Sequence, residues 1–186
     1  MGNRRSRSVG VTLIELMMGL IVMVALQLIA VPAMSEMLHS FRVDAATRSM
    51  ISSLQLARNE AIMKGSRVVL CKSSNGEDCS HTNDWEQGWI VFQDRNNNAL
   101  VDKGEIILHK EPALAGSVRL TGNVMVESYV SYTPFGTANM TTGAFQAGTL
   151  TVCPPLKTGS SARQIVLSSS GRARTQMAKL DHCAKA

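Results

Sequence analysis

Aromatic side chains are scarce in this chain of 186 residues, since Phe, Trp and Tyr together make up only 4% of it. A hydrophobic core must therefore rest mainly on aliphatic and methionine side chains. The length allows one membrane segment and one compact domain of ordinary size.

Residue patterns typical of enzymes and zinc proteins are also missing from the sequence. The four histidines are scattered, at His39, His81, His109 and His182. No serine or cysteine has a recognisable nucleophile setting. There is no CxxC pair, and only His81 lies near a pair of cysteines, which disfavours zinc. The sequence predicts a non-enzymatic protein without a resident cofactor.

Acidic residues are absent from the first ten positions, which contain three arginines. Removal of these ten residues would leave 16 basic and 14 acidic side chains, so the net charge would fall from +5 to +2. The remaining excess is local, because the stretch from Lys157 to the C-terminus has six bases and one acid. That end of the chain is a candidate surface for an anionic partner.

Charged residues are nearly absent between Arg7 and Glu36, where only Glu15 interrupts an apolar segment. A helix from Val11 to Val31 would reach ~30 Å, the thickness of the bilayer core. The preceding arginines would keep the N-terminus in the cytoplasm and send the rest outward. A secretory signal peptide is the alternative, but the chain after Val31 matches its cleavage site poorly. It would also leave Glu15 unexplained, since a carboxylate in an apolar span costs ~2.5–3.5 kcal/mol and marks function.

The segment from Gly10 to Met17, GVTLIELM, resembles the processing motif of type IV pilins and type II secretion pseudopilins. The resemblance implies that a prepilin peptidase cleaves between Gly10 and Val11 and that the new amine of Val11 is methylated. The family usually has Phe where this chain has Val11. We expect the Glu15 carboxylate of one subunit to pair with the Val11 amine of its neighbour, because the pair compensates two buried charges. The alternative is an ordinary anchor with a stray Glu.

The segment after the anchor predicts a continued helix and then strands. Apolar residues recur at three- and four-residue spacing: Val43, Met50, Leu54, Ala57 and Ala61. Gly65 after Lys64 marks the helix end. Predicted strands follow at Ser66–Cys71, Gly88–Gln93, Glu105–His109, Val118–Leu120, Gly148–Cys153 and Gln164–Ser168. The prediction is an α+β, pilin-like fold with an antiparallel sheet or sandwich head. Its parts are a leader at 1–10, an anchor helix at 11–34, an amphipathic helix at 35–64 and a head at 65–186.

The chain has four cysteines, and an even number behind an export signal predicts disulfides. Three connectivities are possible. We favour Cys71–Cys79 and Cys153–Cys183, because each pair is close in sequence or brackets one C-terminal unit. Each bond typically contributes ~2–4 kcal/mol to stability.

The head resembles the GspH/FimT/FimU group of minor pilins and minor pseudopilins. The segments that carry the resemblance are Leu56–Ile62, Trp85–Phe92, Asp94–Glu105 and Ser170–Arg174. It implies a subunit that caps or primes a pilus or pseudopilus, together with other pilins or pseudopilins. It also implies a single pass through the bacterial inner membrane, with the head in the periplasm. Which of the two machines the chain serves stays open.

The segment Gly171-Arg172-Ala173-Arg174 is similar to the GRxR element of FimT-type pilins, which bind DNA during natural transformation. If it is extended, Arg172 and Arg174 project from one face ~6.5–7 Å apart and suit successive phosphates. Gly171 would let the backbone turn beforehand. Three further bases could widen this surface: Lys157, Arg163 and Lys179. No aromatic residue interleaves the bases, so a base-stacking platform is not expected. The alternative is a solvated edge strand whose charges discourage aggregation.

Five oxygen-bearing residues match the spacing of an EF-hand loop: Asp94, Asn96, Asn98, Asp102 and Glu105. Calcium is therefore a possible ligand. Ala99 argues against it, because it stands where that loop needs Gly, and the flanking segments predict strands instead of helices. The alternative is a β-hairpin with an Asn-rich turn.

Overall fold

The computed structural model describes residues 10, 12–82, 84–116, 118–154 and 161–179. At residues 29–33, 35, 36, 161 and 179 the description is of the backbone alone. The chain separates into a unit of residues 1–38 and a unit of residues 39–186.

The first element is one α-helix, α1, from Leu13 to Lys64, and it continues through Pro32. It ends at Gly65, whose φ of +59° is left-handed. The Gly65 N–H donates to the Ile62 carbonyl at 3.4 Å, and the Ser66 N–H donates to the Ala61 carbonyl at 3.3 Å. This pair of bonds is the Schellman arrangement, which satisfies the last carbonyls of a helix. The predicted long helix is confirmed.

Within the described residues, no helix combines the length and the apolar character needed to cross a membrane. The predicted span of residues 11–31 includes Val11 and the side chains of residues 29–31, which lie outside the described part.

The head contains two four-stranded sheets in which all neighbouring strands are antiparallel. The first sheet has the order β3-β2-β1-β5, with β1 Val68–Lys72, β2 Trp89–Gln93, β3 Ile107–Glu111 and β5 Tyr129–Tyr132. The second has the order β4-β6-β7-β8, with β4 Arg119–Gly122, β6 Gly148–Cys153, β7 Ser161–Leu167 and β8 Ala173–Lys179. A short 3-10 helix, Trp85–Gln87, precedes β2. The predicted α+β class is confirmed.

The main core joins the second half of α1 to both sheets. The apolar face predicted on α1 is buried in full: Val43, Met50, Leu54, Ala57 and Ala61. These side chains share one cluster with residues of the first sheet, such as Leu70, and of the second, such as Ile165. The two tryptophans are buried in the same core, and each indole N–H has a partner. Trp85 donates to the Val126 carbonyl at 3.0 Å and Trp89 to the Ser53 hydroxyl at 2.9 Å.

A second, smaller cluster lies on the other face of the first sheet. It contains Val69, Cys71, Ile90 and Phe92, and a disulfide links Cys71 to Cys79, which packs against the cluster. The pairing favoured for Cys153 and Cys183 lies outside the described residues, because Cys183 is not among them.

Candidate functional site

The start of α1 places Glu15 in the first helical turn. The Thr12 hydroxyl accepts the Glu15 N–H at 3.4 Å, and the Thr12 carbonyl accepts the Leu16 N–H at 3.2 Å. Thr12 is therefore the N-cap, and the Thr-x-x-Glu spacing is that of a capping box. An acid in this turn also interacts favourably with the helix dipole. The sequence contains the signal for this local role, Thr followed by Glu three residues later, in addition to the predicted pairing of Glu15 with another subunit.

The Glu15 side chain is exposed, and it forms no ion pair with any residue that the structure describes. Gly10 is exposed as well. Val11, the predicted first residue of the processed chain, lies outside the described residues.

The hairpin between β7 and β8 turns at Gly171. The Gly171 N–H donates to the Ser168 carbonyl at 2.9 Å, and the Ser168 N–H donates to the Arg172 carbonyl at 3.0 Å. Gly171 has a left-handed φ of +78°, and a Cβ on it would overlap the Gly136 carbonyl oxygen. Gly171 is therefore required both for the turn and for the close approach of the loop that contains Gly136.

Arg172, which directly precedes β8, and Arg174, its second residue, are both exposed, and β8 is an edge strand of the second sheet. Ala173 between them packs against the core, so Arg174 projects from the outer face of the sheet. Among the ion pairs of the described residues, neither arginine has a carboxylate partner. Both guanidinium groups are thus available to an anion.

Arg163 does not join this pair, which corrects the expectation that it widens the basic surface. On β7 it shares the inner face with Ile165, which belongs to the core. Its Nε lies 2.9 Å from a carboxylate oxygen of Asp44 on α1. Because strand side chains alternate between faces, Arg163 and Arg174 lie on opposite faces of the sheet. Lys157 and the side chain of Lys179 lie outside the described part.

Arg58 on α1 connects the two loops that meet at Gly171. Its Nε donates to the Gly136 carbonyl at 2.8 Å, and one of its terminal nitrogens donates to the Ser170 carbonyl at 3.4 Å. The segment around Arg58 is one of those that carry the family resemblance. The sequence gives no sign of the Arg58 contacts, because Gly136 and Ser170 are distant along the chain.

The buried Tyr132 lies beside this contact, and a cavity of about 170 Å³ is lined by Arg58, Tyr132 and Gly171, among others. Burial raises the pKa of the Tyr132 hydroxyl above its usual value, and the nearby Arg58 charge opposes that shift. The hydroxyl has no hydrogen-bond partner among the described residues.

The loop between β2 and β3 uses its first carboxylate as an internal cap. Asp94 is buried, and its carboxylate accepts the N–H groups of Asn97 at 2.6 Å, Asn98 at 3.3 Å and Ala99 at 3.0 Å. Asn97 and Ala99 have left-handed φ values of +62° and +58°. The position where an EF-hand has Gly is thus a sharp turn in this chain too, but its methyl group is buried in the smaller cluster.

The other calcium candidates are also hydrogen-bonded within the loop. Asp102 accepts the side-chain amides of Asn96 at 2.8 Å and Asn98 at 2.7 Å. Glu105 accepts the N–H groups of Arg95 at 2.8 Å and Asp102 at 3.1 Å. Through these bonds, the five residues stabilise the turns of the loop between β2 and β3. In the described ranges, no group of three or more His, Cys, Asp or Glu residues could hold a metal ion.

Comparison with known proteins identifies a family and a fold. The family model described as type II transport protein GspH matches residues 46–171, more than half of the chain. The type IV minor pilin FimU of Pseudomonas aeruginosa is similar in structure, with a TM-score of 0.53 and 20% identity over 72% of this chain and 87% of FimU. The minor pseudopilin EpsH of the Vibrio cholerae Type 2 Secretion System has a TM-score of 0.50 and 12% identity, over 73% and 96%. No curated protein matches the chain. At these identities the two structures share the fold with this chain.

Proposed function

Because the chain belongs to the GspH family of type II transport proteins, we propose that it is a minor pilin that is incorporated in a pilus or primes its assembly. The family match is the observation that carries this proposal. The fold shared with the minor pilin FimU supports it, as does the prepilin-like segment Gly10–Met17. Before assembly the subunit is held in the bacterial inner membrane by its N-terminal helix, with the head in the periplasm.

Assembly follows cleavage between Gly10 and Val11 by a prepilin peptidase and methylation of the Val11 amine. The Glu15 carboxylate then pairs with the Val11 amine of an adjacent subunit. The exposure of Glu15 supports this role, as does the lack of an ion pair to it among the described residues. In an apolar assembly, each charge would be strongly unfavourable without the other.

The test compares Glu15→Gln with Glu15→Ala in the filament fraction sheared from cells. Glutamine keeps the length of the side chain and can still complete a capping box, but it has no charge. If the charge pair directs assembly, both variants are absent from the filaments while their membrane levels stay normal. Normal incorporation of Glu15→Gln would contradict the charge pair, and loss of Glu15→Ala alone would identify Glu15 as a helix cap.

A minor pseudopilin of a type II secretion system is the second candidate. The likeness to EpsH and the description of the matched family favour it. Deletion of the gene separates the two: a minor pilin is needed for pili on the cell surface, and a pseudopilin is needed for secretion of folded proteins. A defect in secretion with normal pili would replace the first candidate by the second.

The second part of the proposal is that Arg172 and Arg174 bind the phosphate backbone of DNA, as a contribution to DNA uptake. Their exposure, their lack of a carboxylate partner among the described residues and their position on an edge strand support this role. Two forked guanidinium groups ~6.5–7 Å apart suit successive phosphates. Such contacts do not read sequence, and the affinity falls with salt because counterions are released. The alternative is a structural minor pilin without DNA binding.

Fluorescence anisotropy with duplex DNA and the full chain in detergent tests this part. Each phosphate contact contributes about −0.9 to the slope of log affinity against log salt concentration. Replacement of both arginines by alanine should therefore lower the magnitude of the slope by about 2. Arg95→Ala is the matched control, because Arg95 is an exposed arginine on the β2–β3 loop of the other sheet. An equal effect of the control, or no binding by the unmodified chain at low salt, would disprove the contact with duplex DNA.

A further inference from the structure

An exposed aromatic side chain lies on a loop that packs against the β7–β8 turn, although it is distant from the two arginines in sequence. Phe135, on the loop after β5, is 88% exposed. The sequence around Arg172 has no aromatic residue and therefore gives no sign of a stacking surface. In the folded chain an aromatic residue does approach this segment, because the loop that contains Phe135 packs against the β7–β8 turn.

Several contacts fix the two loops against each other. The Gly136 carbonyl touches Gly171, and Arg58 binds that carbonyl and the Ser170 carbonyl together. The Ala138 N–H donates to the Ser169 carbonyl at 3.1 Å. Phe135 and Arg172 are the chain neighbours of the touching glycines. Because consecutive Cα atoms are ~3.8 Å apart, their backbones lie on the order of 10 Å from each other, within reach of two long side chains.

The loop itself holds the backbone of Phe135 in a defined position. The Phe135 N–H donates to the Thr133 hydroxyl at 3.3 Å, and the Gly136 N–H donates to the Thr133 carbonyl at 2.8 Å. The ring contributes little burial to the fold, because it is almost fully exposed. An exposed aromatic ring and unpaired cations on adjoining loops are the elements of sites for single-stranded nucleic acid, where bases stack on rings and the backbone follows the positive charge.

We propose that Phe135 stacks on an unpaired base while Arg172 and Arg174 hold the adjacent phosphates. The site then takes single-stranded nucleic acid in preference to a duplex, whose bases are already stacked on each other. This inference rests on the proposed DNA contact of the two arginines and names the form of nucleic acid that it takes. Stacking tolerates any base, since every base has a π face.

The test measures binding of the full chain in detergent to three probes: oligothymidylate, an abasic strand of equal length and a duplex. Stacking of one base corresponds to roughly a 5- to 150-fold change in affinity on alanine substitution. Phe135→Ala should therefore weaken oligothymidylate binding about fivefold or more and leave the other two probes unchanged. Phe135→Trp should retain the binding, because it keeps an aromatic face. Phe145→Ala is the matched control, since Phe145 is 70% exposed on the loop before β6.

Three results for Phe135→Ala would overturn the stacking contact. The first is unchanged affinity for oligothymidylate, and the second is an equal loss of affinity for the abasic strand. The third is loss of the variant from sheared filaments while its DNA binding stays normal. The last would identify Phe135 as a subunit contact. These outcomes are separable from failure of the proposed function. If the double arginine variant loses binding to all three probes while Phe135→Ala changes no affinity, only the stacking inference fails. If the double arginine variant binds all three probes normally, the DNA contact itself fails.

Discussion

Gly171 is required both for the backbone conformation of the β7–β8 turn and for the packing of that turn against the loop that contains Gly136. Its φ of +78° is unfavourable for other residues by roughly 1–2 kcal/mol, and a Cβ would also overlap the Gly136 carbonyl. We expect Gly171→Ala to lower the free energy of unfolding by more than about 2 kcal/mol, the conformational cost alone. Urea denaturation measures this value.

Gly143→Ala is the matched control for Gly171→Ala. Gly143 has a φ of +89°, but no atom lies within 4 Å of the Cβ it would gain. Its substitution should therefore show only the conformational cost of about 1–2 kcal/mol. If both variants lose the same stability, the close packing of Gly171 on the Gly136 loop is unimportant.

Tyr132 gives a second prediction at the residue scale. Its hydroxyl is buried without a hydrogen-bond partner among the described residues, which is unfavourable. Tyr132→Phe should therefore leave the stability at neutral pH unchanged or raise it by up to about 1 kcal/mol. A loss of more than that in urea denaturation would mean that the hydroxyl has a partner.

The raised pKa of Tyr132 also predicts a pH dependence. Above pH ~10, the usual tyrosine value, the unfolded chain releases the phenolic proton while the folded chain retains it. The stability linked to this proton is therefore complete below pH ~10 and falls as the pH rises further. Tyr132→Phe should lose less stability than the unmodified chain above that pH. Parallel curves for the two proteins would contradict the pKa shift.

At the scale of elements, α1 organises the head through one polar residue as well as its apolar face. Arg58 holds the loop after β5 and the β7–β8 turn by two carbonyl contacts. Arg58→Met keeps much of the side-chain volume but removes both bonds, and the carbonyl of the buried Gly136 loses its Arg58 donor. A loss of about 1–3 kcal/mol is expected from urea denaturation, together with weaker DNA binding. Arg48→Met, at an exposed site on the same helix, should be close to neutral; equal losses would show that Arg58 has no special role.

The elements could be predicted largely from local patterns, but their arrangement could not. The period of the apolar residues marks α1, and Gly65 marks its end. The predicted strands lack β5, which is short and includes Ser131, and β8, in which Arg, Thr, Gln and Lys make up four of the seven residues. The strand order and the two-sheet division depend on pairings between segments far apart in sequence, for which a single chain gives no signal. The same limit applies to the site: Gly171 to Arg174 could be recognised locally, whereas the approach of Phe135 and Arg58 is a long-range contact.

At the scale of the whole molecule, the two units differ in how their apolar residues are used. The unit of residues 39–186 has two cores of buried apolar residues, and its exposed apolar side chains, such as Val124 and Phe135, are scattered along the chain. The described part of residues 1–38 exposes large apolar side chains around the helix, among them Leu13, Ile14 and Leu16. An apolar surface of this extent needs lipid or protein to cover it. This requirement is met in the proposed function by the membrane before assembly and by other subunits afterwards.

The central claim, that the chain is processed like a pilin and joins a filament, is tested most directly by intact-mass spectrometry of sheared filaments. The predicted result is a minor component whose chain begins at Val11, with an added methyl group at its amine. A chain that keeps Met1, a chain cut near Ala33, or the absence of the protein from the filaments would contradict the claim.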